Sequence, residues 1–381
     1  MALIVQKYGG TSVADTERIK AVAERVLKTK AEGNSVVVVL SAMSGETNRL
    51  VSLAEELSAE PEGREYDVIV SSGEQVTIGL LALALRERNC EAMSFLGHQV
   101  PILTDSAYSA ARIEHIDTSK IVRELDDDAV VIVAGFQGID TLGNITTLGR
   151  GGTDTTAVAL AVALGADLCE IYTDVEGVYT TDPRICPNAR KLDRVSYDEM
   201  LEMASLGARV LQTRSVEFSK KYDIPVMVRS SFTDSAGTLV CKEDSEMEKV
   251  VVSGITYNKG EAKISVVQVT DSPGVAARLF KPLTSAGINV DMIVQNIGHD
   301  GTTDMTFTVN RPDYARALKL VEEMKDSLGA KGVEGDSSIA KVSIVGAGMK
   351  SHAGIASKTF EVLAEEGINI QMISTSEIKI S

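Results

Sequence analysis

The sequence predicts an α/β protein with a mainly parallel sheet in its first part, followed by a duplicated α+β unit. In the first part, apolar runs typical of strands buried on both faces alternate with segments of helical periodicity. In the second part, residues 274–292 match residues 354–372 without a gap, which indicates an internal repeat. With 381 residues, the chain is long enough for two or three domains.

Four predicted strands of the first part each end in a loop of small or polar residues. They cover residues 2–8, 36–40, 129–134 and 169–172. Helices are predicted at 15–31, 48–58, 75–88, 157–164 and 198–221, with a further strand at 224–228. Because ligands of parallel α/β sheets gather beyond the carboxyl ends of the strands, we expect the functional site where the four loops meet.

The loop at residues 146–154 is the strongest single signal in the chain. Three glycines surround Arg150, and the apolar helix predicted to follow places Thr153 and Asp154 at or near a helix N-terminus, which favours an anion. Arg150 has a planar charged group suited to a carboxylate or a phosphate. On its own, such a segment is equally typical of an ordinary glycine-rich turn. The position of Lys7 indicates a phosphate contact. A lysine that is only solvated rarely lies at the end of an apolar strand beside a pair of glycines.

Composition and charge narrow the classes of function. The formal net charge of −16 argues against nucleic acid as the main partner, and it requires local lysines or arginines to bind any anionic substrate. No apolar run is long enough to span a membrane, and the N-terminus lacks the basic and apolar segments of a signal peptide. The four cysteines have no CxxC spacing and are expected to be reduced thiols in a cytoplasmic protein.

Several common site chemistries have no signal in the sequence. There is no GxxxxGK[ST] phosphate loop, no evident nucleophile–histidine triad and no set of metal-binding side chains. A divalent ion is therefore expected to arrive with the phosphates of a nucleotide.

Each copy of the repeat in the second part follows the order strand, loop, helix, Gly-Ile-Asn and strand. The first copy continues with a strand at 303–309 and a helix at about 312–328. The second copy extends only a few residues into its matching strand before Ser381, so we expect this unit to be incomplete at its C-terminal end.

Four segments, taken together and in order along the chain, resemble the aspartate kinase family. They are residues 7–12 (KYGGTS), 147–154 (TLGRGGTD), 172–184 (YTDVEGVYTTDPR) and 346–352 (GAGMKSH). The resemblance implies an amino-acid-kinase three-layer sandwich with a mainly parallel sheet, followed by two ACT units of βαββαβ order.

The same resemblance implies a division of the chain into two regions. We expect a catalytic domain at 1–245 and a regulatory tandem ACT region at 246–381. Within the regulatory region, the first unit is expected at about 262–336, and the second at about 337–381 together with a strand near 250–257.

The implied reaction passes the γ-phosphoryl group of ATP, with Mg²⁺, to the side-chain carboxylate of L-aspartate, as the first step towards lysine, threonine and methionine. A carboxylate with a pKa of about 4 is already ionised at pH 7, so the nucleophile needs no general base. The implied catalytic residues are Lys7 and Asp154. The implied aspartate pocket comprises Ser41, Thr47, Glu74, Phe136, Arg150 and Thr153, with Glu74 opposite the substrate ammonium. The implied ATP contacts are Lys7, Tyr8, Gly9, Gly10, Thr173, Asp174, Tyr179, Asp182, Arg184 and Arg209.

Feedback inhibition by lysine and/or threonine is implied as well, in a homodimer formed through the ACT units. The implied effector residues are Asp271, Gly274, Val275, Ala276, Asn289, Asp291 and Gln295 of the first unit and Ile355, Ala356, Asn369, Ile370 and Ser376 of the second. Two alternatives remain open at this point. One is a kinase of the same fold that acts on acetylglutamate, glutamate, carbamate or uridylate, and the other is an inactive amino-acid sensor.

Overall fold

The computed structural model describes residues 2–208, 210–244, 247, 250–298, 301–350, 352 and 354–381, without the side chains of Ile297 and Lys350. The chain divides into two compact units, Met1–Lys249 and Val250–Ser381. Each unit has its own sheets and is described separately.

The first unit contains twelve strands among its described residues. In chain order they are β1 (Leu3–Tyr8), β2 (Ser35–Leu40), β3 (Ala92–Phe95), β4 (Ile102–Thr104), β5 (Ile113–Ile116), β6 (Val130–Ala134), β7 (Gln137–Ile139), β8 (Ile145–Thr147), β9 (Leu168–Thr173), β10 (Arg194–Ser196), β11 (Val226–Ser230) and β12 (Thr238–Cys241).

The helices of the first unit include the four predicted near residues 15–31, 48–58, 75–88 and 157–164. In chain order they are α1 (Thr16–Ala31), α2 (Glu46–Glu55), α3 (Arg64–Val70), α4 (Ser72–Arg86), α5 (Ser119–Asp126), α6 (Gly152–Leu164), α7 (Tyr197–Ser205) and α8 (Thr213–Tyr222). A short 3₁₀ helix, Gly10–Val13, follows β1.

The main sheet has eight strands in the order β10-β12-β11-β9-β1-β2-β6-β3, and only the β11–β12 pair is antiparallel. The predicted fold class is confirmed. Four neighbouring strands end in one row, because Tyr8 is paired with both Leu40 and Tyr172, and Leu40 is paired with Ala134. The four loops that the sequence assigns to the functional site therefore leave the sheet side by side.

Helices cover both faces of this sheet. The face that carries Tyr8, Val38 and Leu40 packs against α1 and α4 in one apolar cluster. Because side chains alternate along a strand, Lys7 lies on the opposite face, which α6 covers. A second sheet of order β5-β4-β7-β8 lies in the same unit and was not anticipated from the sequence, since its strands are only three or four residues long.

The single helix predicted at 198–221 is wrong, because α7 ends at Ser205 and α8 begins at Thr213. Gly207 lies between them with a φ of 113°, which an α-helix cannot accommodate.

The second unit consists of two small antiparallel sheets with helices. Its strands are β13 (Gly254–Asn258), β14 (Glu261–Thr270), β15 (Val290–Ile297), β16 (Thr302–Asn310), β17 (Gly332–Asp336), β18 (Lys341–Val345) and β19 (Lys379–Ile380). Its helices are α9 (Val275–Ser285), α10 (Tyr314–Leu328) and α11 (Ile355–Glu365), with 3₁₀ turns at Arg311–Asp313 and Ala347–Lys350. The sheets have the orders β15-β16-β14-β17 and β13-β18-β19.

The two copies of the repeat differ after their helices. In the first copy, Gly287-Ile288-Asn289 leads into β15, which pairs with β16. In the second copy, the strand predicted from residue 369 is wrong: residues 367–374 form no strand, and only an isolated bridge joins Thr375 to Ile380. The physical reason is that residues 367–374 have no neighbouring strand to pair with. The strand that follows them, β19, has only two residues, and it pairs with β18.

Within the described residues, one segment, Arg64–Arg86, is long and apolar enough to cross a membrane by length and composition alone. Half of its most apolar window is buried in the protein, as in a helix that packs in a core. This segment is weak evidence for a membrane span. All four cysteines are free, and Cys186 is the most accessible of them.

Candidate active site

Lys7 and Asp154 form a nearly buried ion pair at the carboxyl end of β1. Lys7 Nζ lies 2.7 Å from Asp154 Oδ1, and the side chains are only 11% and 10% exposed. Asp154 lies in the first turn of α6, which begins after Gly151 and is closed by Gly165 in the left-handed conformation. The pair fixes the ammonium group of Lys7 at the edge where the four loops meet.

The glycine loop after β1 adds backbone donors beside Lys7. A side chain at Gly9 would contact Lys7 Nζ at 3.3 Å, so the loop passes directly over the ammonium group. The Gly9 N–H donates to the Tyr172 carbonyl at 3.3 Å. The N–H of Gly10 has no backbone acceptor among the described residues, so it is the donor of this pair that is free for a ligand.

The loops after β2 and β6 meet α6 on the other side of Lys7. Ser41 Oγ donates to Thr153 Oγ1 at 3.0 Å, and the Ser41 carbonyl accepts a hydrogen bond from Thr77. A Cβ atom at Gly135 would lie 2.5 Å from Thr153 Cγ2. Only glycine allows the end of β6 to approach the helix this closely, and the approach brings the predicted pocket residues Phe136 and Thr153 together.

Glu74 is a buried carboxylate with one oxygen unused. It is only 3% exposed, its Oε1 accepts the Ala42 N–H at 3.1 Å, and its Oε2 has no hydrogen-bond partner among the described residues. Burial raises the pKa of Glu74 to about 7. An unpaired buried carboxylate oxygen is costly unless a donor or cation meets it, so this position suits the ammonium group of a ligand.

Phe136 has a strained backbone at the same edge. Its φ is 68°, in the left-handed region that a bulky residue rarely adopts. The strain is held by two hydrogen bonds, from the Phe136 N–H to Thr156 Oγ1 at 3.1 Å and from the Leu148 N–H to the Phe136 carbonyl at 2.9 Å.

Arg150 and Thr47 form no hydrogen bond or ion pair with this group among the described residues. Arg150 is exposed, and none of the described side chains forms an ion pair or hydrogen bond with its guanidinium. Thr47 lies in the first turn of α2 and is half-buried. The arginine is therefore available for a ligand, whereas the site role of Thr47 stays a prediction.

The predicted nucleotide residues lie along the loop after β9. Thr173 donates to Asp174 at 3.1 Å, and Asp182 accepts from the Arg184 side chain and backbone, which lowers the pKa of Asp182. Tyr179 forms an isolated bridge with Lys191. These residues follow Tyr172 of β9, whose carbonyl accepts the Gly9 N–H, but no ion pair or hydrogen bond joins them to Lys7 among the described residues. Arg209 lies outside the described residues.

Tyr8 contributes through packing and not through its hydroxyl group. Its ring is fully buried and stacks on Tyr172 with centroids 4.6 Å apart. Its hydroxyl donates to Gln6 on the face opposite Lys7, so only the Tyr8 backbone borders the site.

Two residues that hold the site escaped the sequence analysis. Asp67 is fully buried and accepts hydrogen bonds from Ser109 and Thr147, and Arg214 donates to the carbonyl oxygen of Leu148 at 2.7 Å. Both fix the strand that leads to Arg150. Nothing in the sequence near either residue signals this role, because their partners lie far away along the chain.

Most of the predicted effector residues of the first repeat are on the surface of the second unit, but the side chain of Val275 is buried in its core. Gly274 precedes α9 with a φ of 87°, and Asp271, Asn289, Asp291 and Gln295 are exposed. Asp291 is not free, because it forms an ion pair with Lys341, which is also 3.0 Å from Glu261. A cationic effector group at Asp291 must therefore compete with Lys341.

The effector residues predicted in the second repeat lie partly on a helix and partly in a segment that forms no helix or strand. Ile355 and Ala356 begin α11, whereas Asn369 and Ile370 lie in the segment without strand pairing. Ser376 donates its N–H to the Lys379 carbonyl at 2.8 Å.

Two family models match the chain. The model of the amino acid kinase family covers residues 2–230, and that of the ACT domain covers residues 264–324 and 342–381. An aspartokinase of Pseudomonas aeruginosa is 59% identical over all of this chain and 93% of its own length. The chain belongs to the aspartokinase family. A family member from Corynebacterium glutamicum is 47% identical over all of this chain and 92% of its own length.

Solved structures of the aspartokinase family agree with this membership. Escherichia coli aspartokinase III in complex with aspartate and ADP, described as the R-state, superposes with a TM-score of 0.82 at 28% identity, covering 99% of this chain and 95% of that one. The same enzyme with lysine and aspartate, described as the T-state, has a TM-score of 0.77 with the same coverage.

Proposed function

We propose that this chain is an aspartate kinase that transfers the γ-phosphoryl group of ATP to the side-chain carboxylate of L-aspartate, giving 4-phospho-L-aspartate. The observation that carries the proposal is the buried Lys7–Asp154 ion pair, which lies on the same sheet edge as the unpaired Oε2 of Glu74. Membership of the aspartokinase family and the names of the relatives support the same reaction. The alternatives of another acceptor and of an inactive sensor have no comparable support.

The chemistry needs charge neutralisation and positioning more than proton transfer. The acceptor carboxylate is ionised at neutral pH, so its oxygen attacks the γ-phosphorus directly as the bond to the departing ADP oxygen breaks. Lys7 is assigned to the negative charge on the phosphoryl oxygens, together with the Gly10 N–H. Asp154 keeps the ammonium group of Lys7 in one place, so little reorganisation is needed at the moment of transfer.

The acceptor is assigned to the pocket formed by the loops after β2 and β6 and by the start of α6. Glu74 is proposed to bind the aspartate ammonium group, and Arg150 an aspartate carboxylate. Ser41, Phe136 and Thr153 are proposed to line the pocket, with Thr47 at its border. Support comes from the Glu74 oxygen and the Arg150 guanidinium, neither of which has a partner among the residues that the structure describes.

The nucleotide is assigned to the loop from Thr173 to Arg184 and to the glycines after β1. Among the described residues, no three His, Cys, Asp or Glu side chains are grouped as a metal site. The N–H donors near Lys7 suit nucleotide phosphates, so a divalent ion would be held mainly by those phosphates, and Asp154, paired with Lys7, is a carboxylate at this place. Mg²⁺ bound in this way would neutralise phosphate charge. The free state of all four cysteines supports a reducing, cytoplasmic location.

A coupled assay of ADP release tests the reaction. We expect turnover with L-aspartate and at least about a hundredfold lower kcat/KM with L-glutamate, because one extra methylene moves the carboxylate away from Lys7. Equal turnover with glutamate would favour another acceptor, and no turnover with either substrate would favour the sensor.

Arg150→Lys is expected to raise the aspartate KM by about tenfold, with the ATP KM nearly unchanged. A lysine keeps the charge but cannot make a two-pronged contact with a carboxylate. Steady-state kinetics with each substrate varied in turn is the measurement. Arg123→Lys, an exposed arginine on α5, is the matched control. A raised ATP KM with an unchanged aspartate KM would assign Arg150 to the nucleotide.

We further propose feedback inhibition by lysine and/or threonine through the ACT region, in a homodimer that pairs ACT sheets edge to edge. The exposed loop before α9 and the exposed edge strand β15 support an effector site that is completed by a second copy. Pairing of β15 would also protect an open sheet edge.

Asp291→Asn is expected to weaken effector binding by about tenfold, since the acid that meets the effector's ammonium group is lost. Calorimetric titration of lysine and threonine, separately and together, into the parent and the variant is the measurement. Asp326→Asn, at an exposed position near the end of α10, serves as the control. Unchanged affinity for both amino acids would remove Asp291 from the effector site.

A further inference from the structure

Asp67 is a carboxylate fully enclosed in the first unit with no cationic partner among the described residues. It lies on α3 and has no exposed surface. Its oxygens accept the Ser109 N–H at 3.0 and 3.1 Å and the Ser109 hydroxyl at 3.0 Å. They also accept the Thr147 N–H at 2.6 Å and the Thr147 hydroxyl at 2.9 Å. All of these donors belong to Ser109 and Thr147, which lie beside the loop that carries Arg150.

Those two residues hold the backbone that leads into Arg150. Thr147 is the last residue of β8, and its carbonyl accepts the Ala111 N–H at 2.9 Å. Ser109 has a φ of 64°, and its carbonyl oxygen would lie 2.7 Å from a Cβ atom at Gly149. The Ser109 backbone therefore packs against Gly149, and the Asp67 carboxylate joins the segment of Ser109 to that of Thr147.

The far side of the same loop is held by α8. Arg214 donates to the Leu148 carbonyl at 2.7 Å and to the Ala111 carbonyl at 2.9 Å, and the Leu148 N–H donates to Phe136. The backbone from Thr147 to Gly149 is thus fixed on both sides, while the next side chain, Arg150, is exposed and has no side-chain partner in the described part of the chain. Such an arrangement gives a free guanidinium a rigid base.

We propose that Asp67 is a positioning residue that sets the direction of Arg150 towards the acceptor carboxylate, an inference that rests on the proposed function. A carboxylate is required at this position because all the groups that face it are donors. An asparagine has the same shape, but it directs an N–H group at the Thr147 or Ser109 amide. Asp67 touches neither the substrate nor the nucleotide and acts through the loop.

The test is Asp67→Asn in the full chain, with aspartate and ATP kinetics measured together. We expect the aspartate KM to rise by about tenfold or more, because small displacements of a binding group are costly, while the ATP KM stays within about twofold. Glu199→Gln is the matched control: Glu199 is 2% exposed and also accepts the N–H and the hydroxyl of one serine, Ser196, but in the capping box of α7. The control should leave the aspartate KM within about twofold of the parent value.

A double-mutant cycle separates positioning from a general structural role. In an Arg150→Ala background, Asp67→Asn should raise the aspartate KM no further, since the group that Asp67 directs is gone. A folded Asp67→Asn variant with the parent's aspartate KM, or an effect that persists in full without Arg150, would overturn the proposal. If Asp67→Asn does not fold, Thr147→Val removes one hydroxyl donor and should give a smaller rise in the aspartate KM.

Hydrogen exchange keeps this proposal distinct from the proposed function. Amides of residues 147–151 should exchange faster in Asp67→Asn than in Glu199→Gln, whichever substrate the protein uses. A parent chain without aspartate turnover would reject the proposed function, whereas unchanged exchange at 147–151 would reject the role of Asp67.

Discussion

Lys7→Ala is expected to lower kcat by about a hundredfold or more while the chain remains folded. The substitution removes a preorganised positive charge from the place where phosphoryl charge develops, and such losses typically have this magnitude. The KM values for aspartate and ATP should change much less than kcat. Initial-rate kinetics with circular dichroism of the same preparation is the measurement.

The stability of this variant needs its own control, because Asp154 loses its partner in a nearly buried position. Removing one member of a buried pair costs about 3–5 kcal/mol, so the free energy of unfolding should fall. Lys7→Ala/Asp154→Asn removes the stranded charge and should recover stability without recovering kcat. Lys30→Ala breaks a partly exposed ion pair with Asp128 and should leave kcat near the parent value. A folded Lys7→Ala variant within about threefold of the parent kcat would refute the assignment.

Glu74→Gln is expected to raise the aspartate KM by roughly 30-fold or more, equivalent to about 2 kcal/mol. The amide keeps the shape and the acceptor for the Ala42 N–H, but it cannot pair with an ammonium group. Glu199→Gln changes another buried carboxylate, in the capping box of α7, and should leave the aspartate KM unchanged. A Glu74→Gln variant with the parent's aspartate KM would remove Glu74 from the pocket.

The raised pKa of Glu74 gives this experiment a second readout. Below pH about 7, Glu74 is protonated in the free protein, so the aspartate KM should rise as the pH falls through 7 in the parent but not in Glu74→Gln. The free energy of unfolding changes in the opposite direction with pH. Because the folded pKa lies above the ordinary value of 4.5, the parent loses stability as the pH rises from 4.5 through 7, by up to about 3 kcal/mol. Glu74→Gln should lack that loss.

The sequence predicted the part of the site that depends on local pattern. Buried strands, the glycine loops after them and the apolar helix after Asp154 are each legible within about twenty residues, and parallel packing then brings Lys7 and Asp154 together. The pairing of Lys7 with Asp154 still needed the fold, since the two residues are 147 positions apart (154 − 7) in the sequence.

What the sequence could not predict depends on distant partners. Asp67 acts through Ser109 and Thr147, which are 42 and 80 positions away, so no local pattern reports it. The prediction of one unbroken helix at 198–221 was wrong because the helical pattern of the sequence continues across Gly207, whereas the helical backbone is interrupted there. The strand expected after residue 369 failed for another reason, since a strand requires a neighbour and periodicity alone cannot provide one.

The row of strand ends from β6 through β2 and β1 to β9 has a consequence for how such enzymes diversify. Two of the loops proposed to line the acceptor pocket follow β2 and β6, the loop proposed for the nucleotide follows β9, and Lys7 on β1 lies between them. Neighbouring strands are about 4.8 Å apart, so these loops are held in one rigid frame. Changes in the loops after β2 and β6 can therefore alter the acceptor pocket while the strand that carries Lys7 and the loop after β9 stay unchanged.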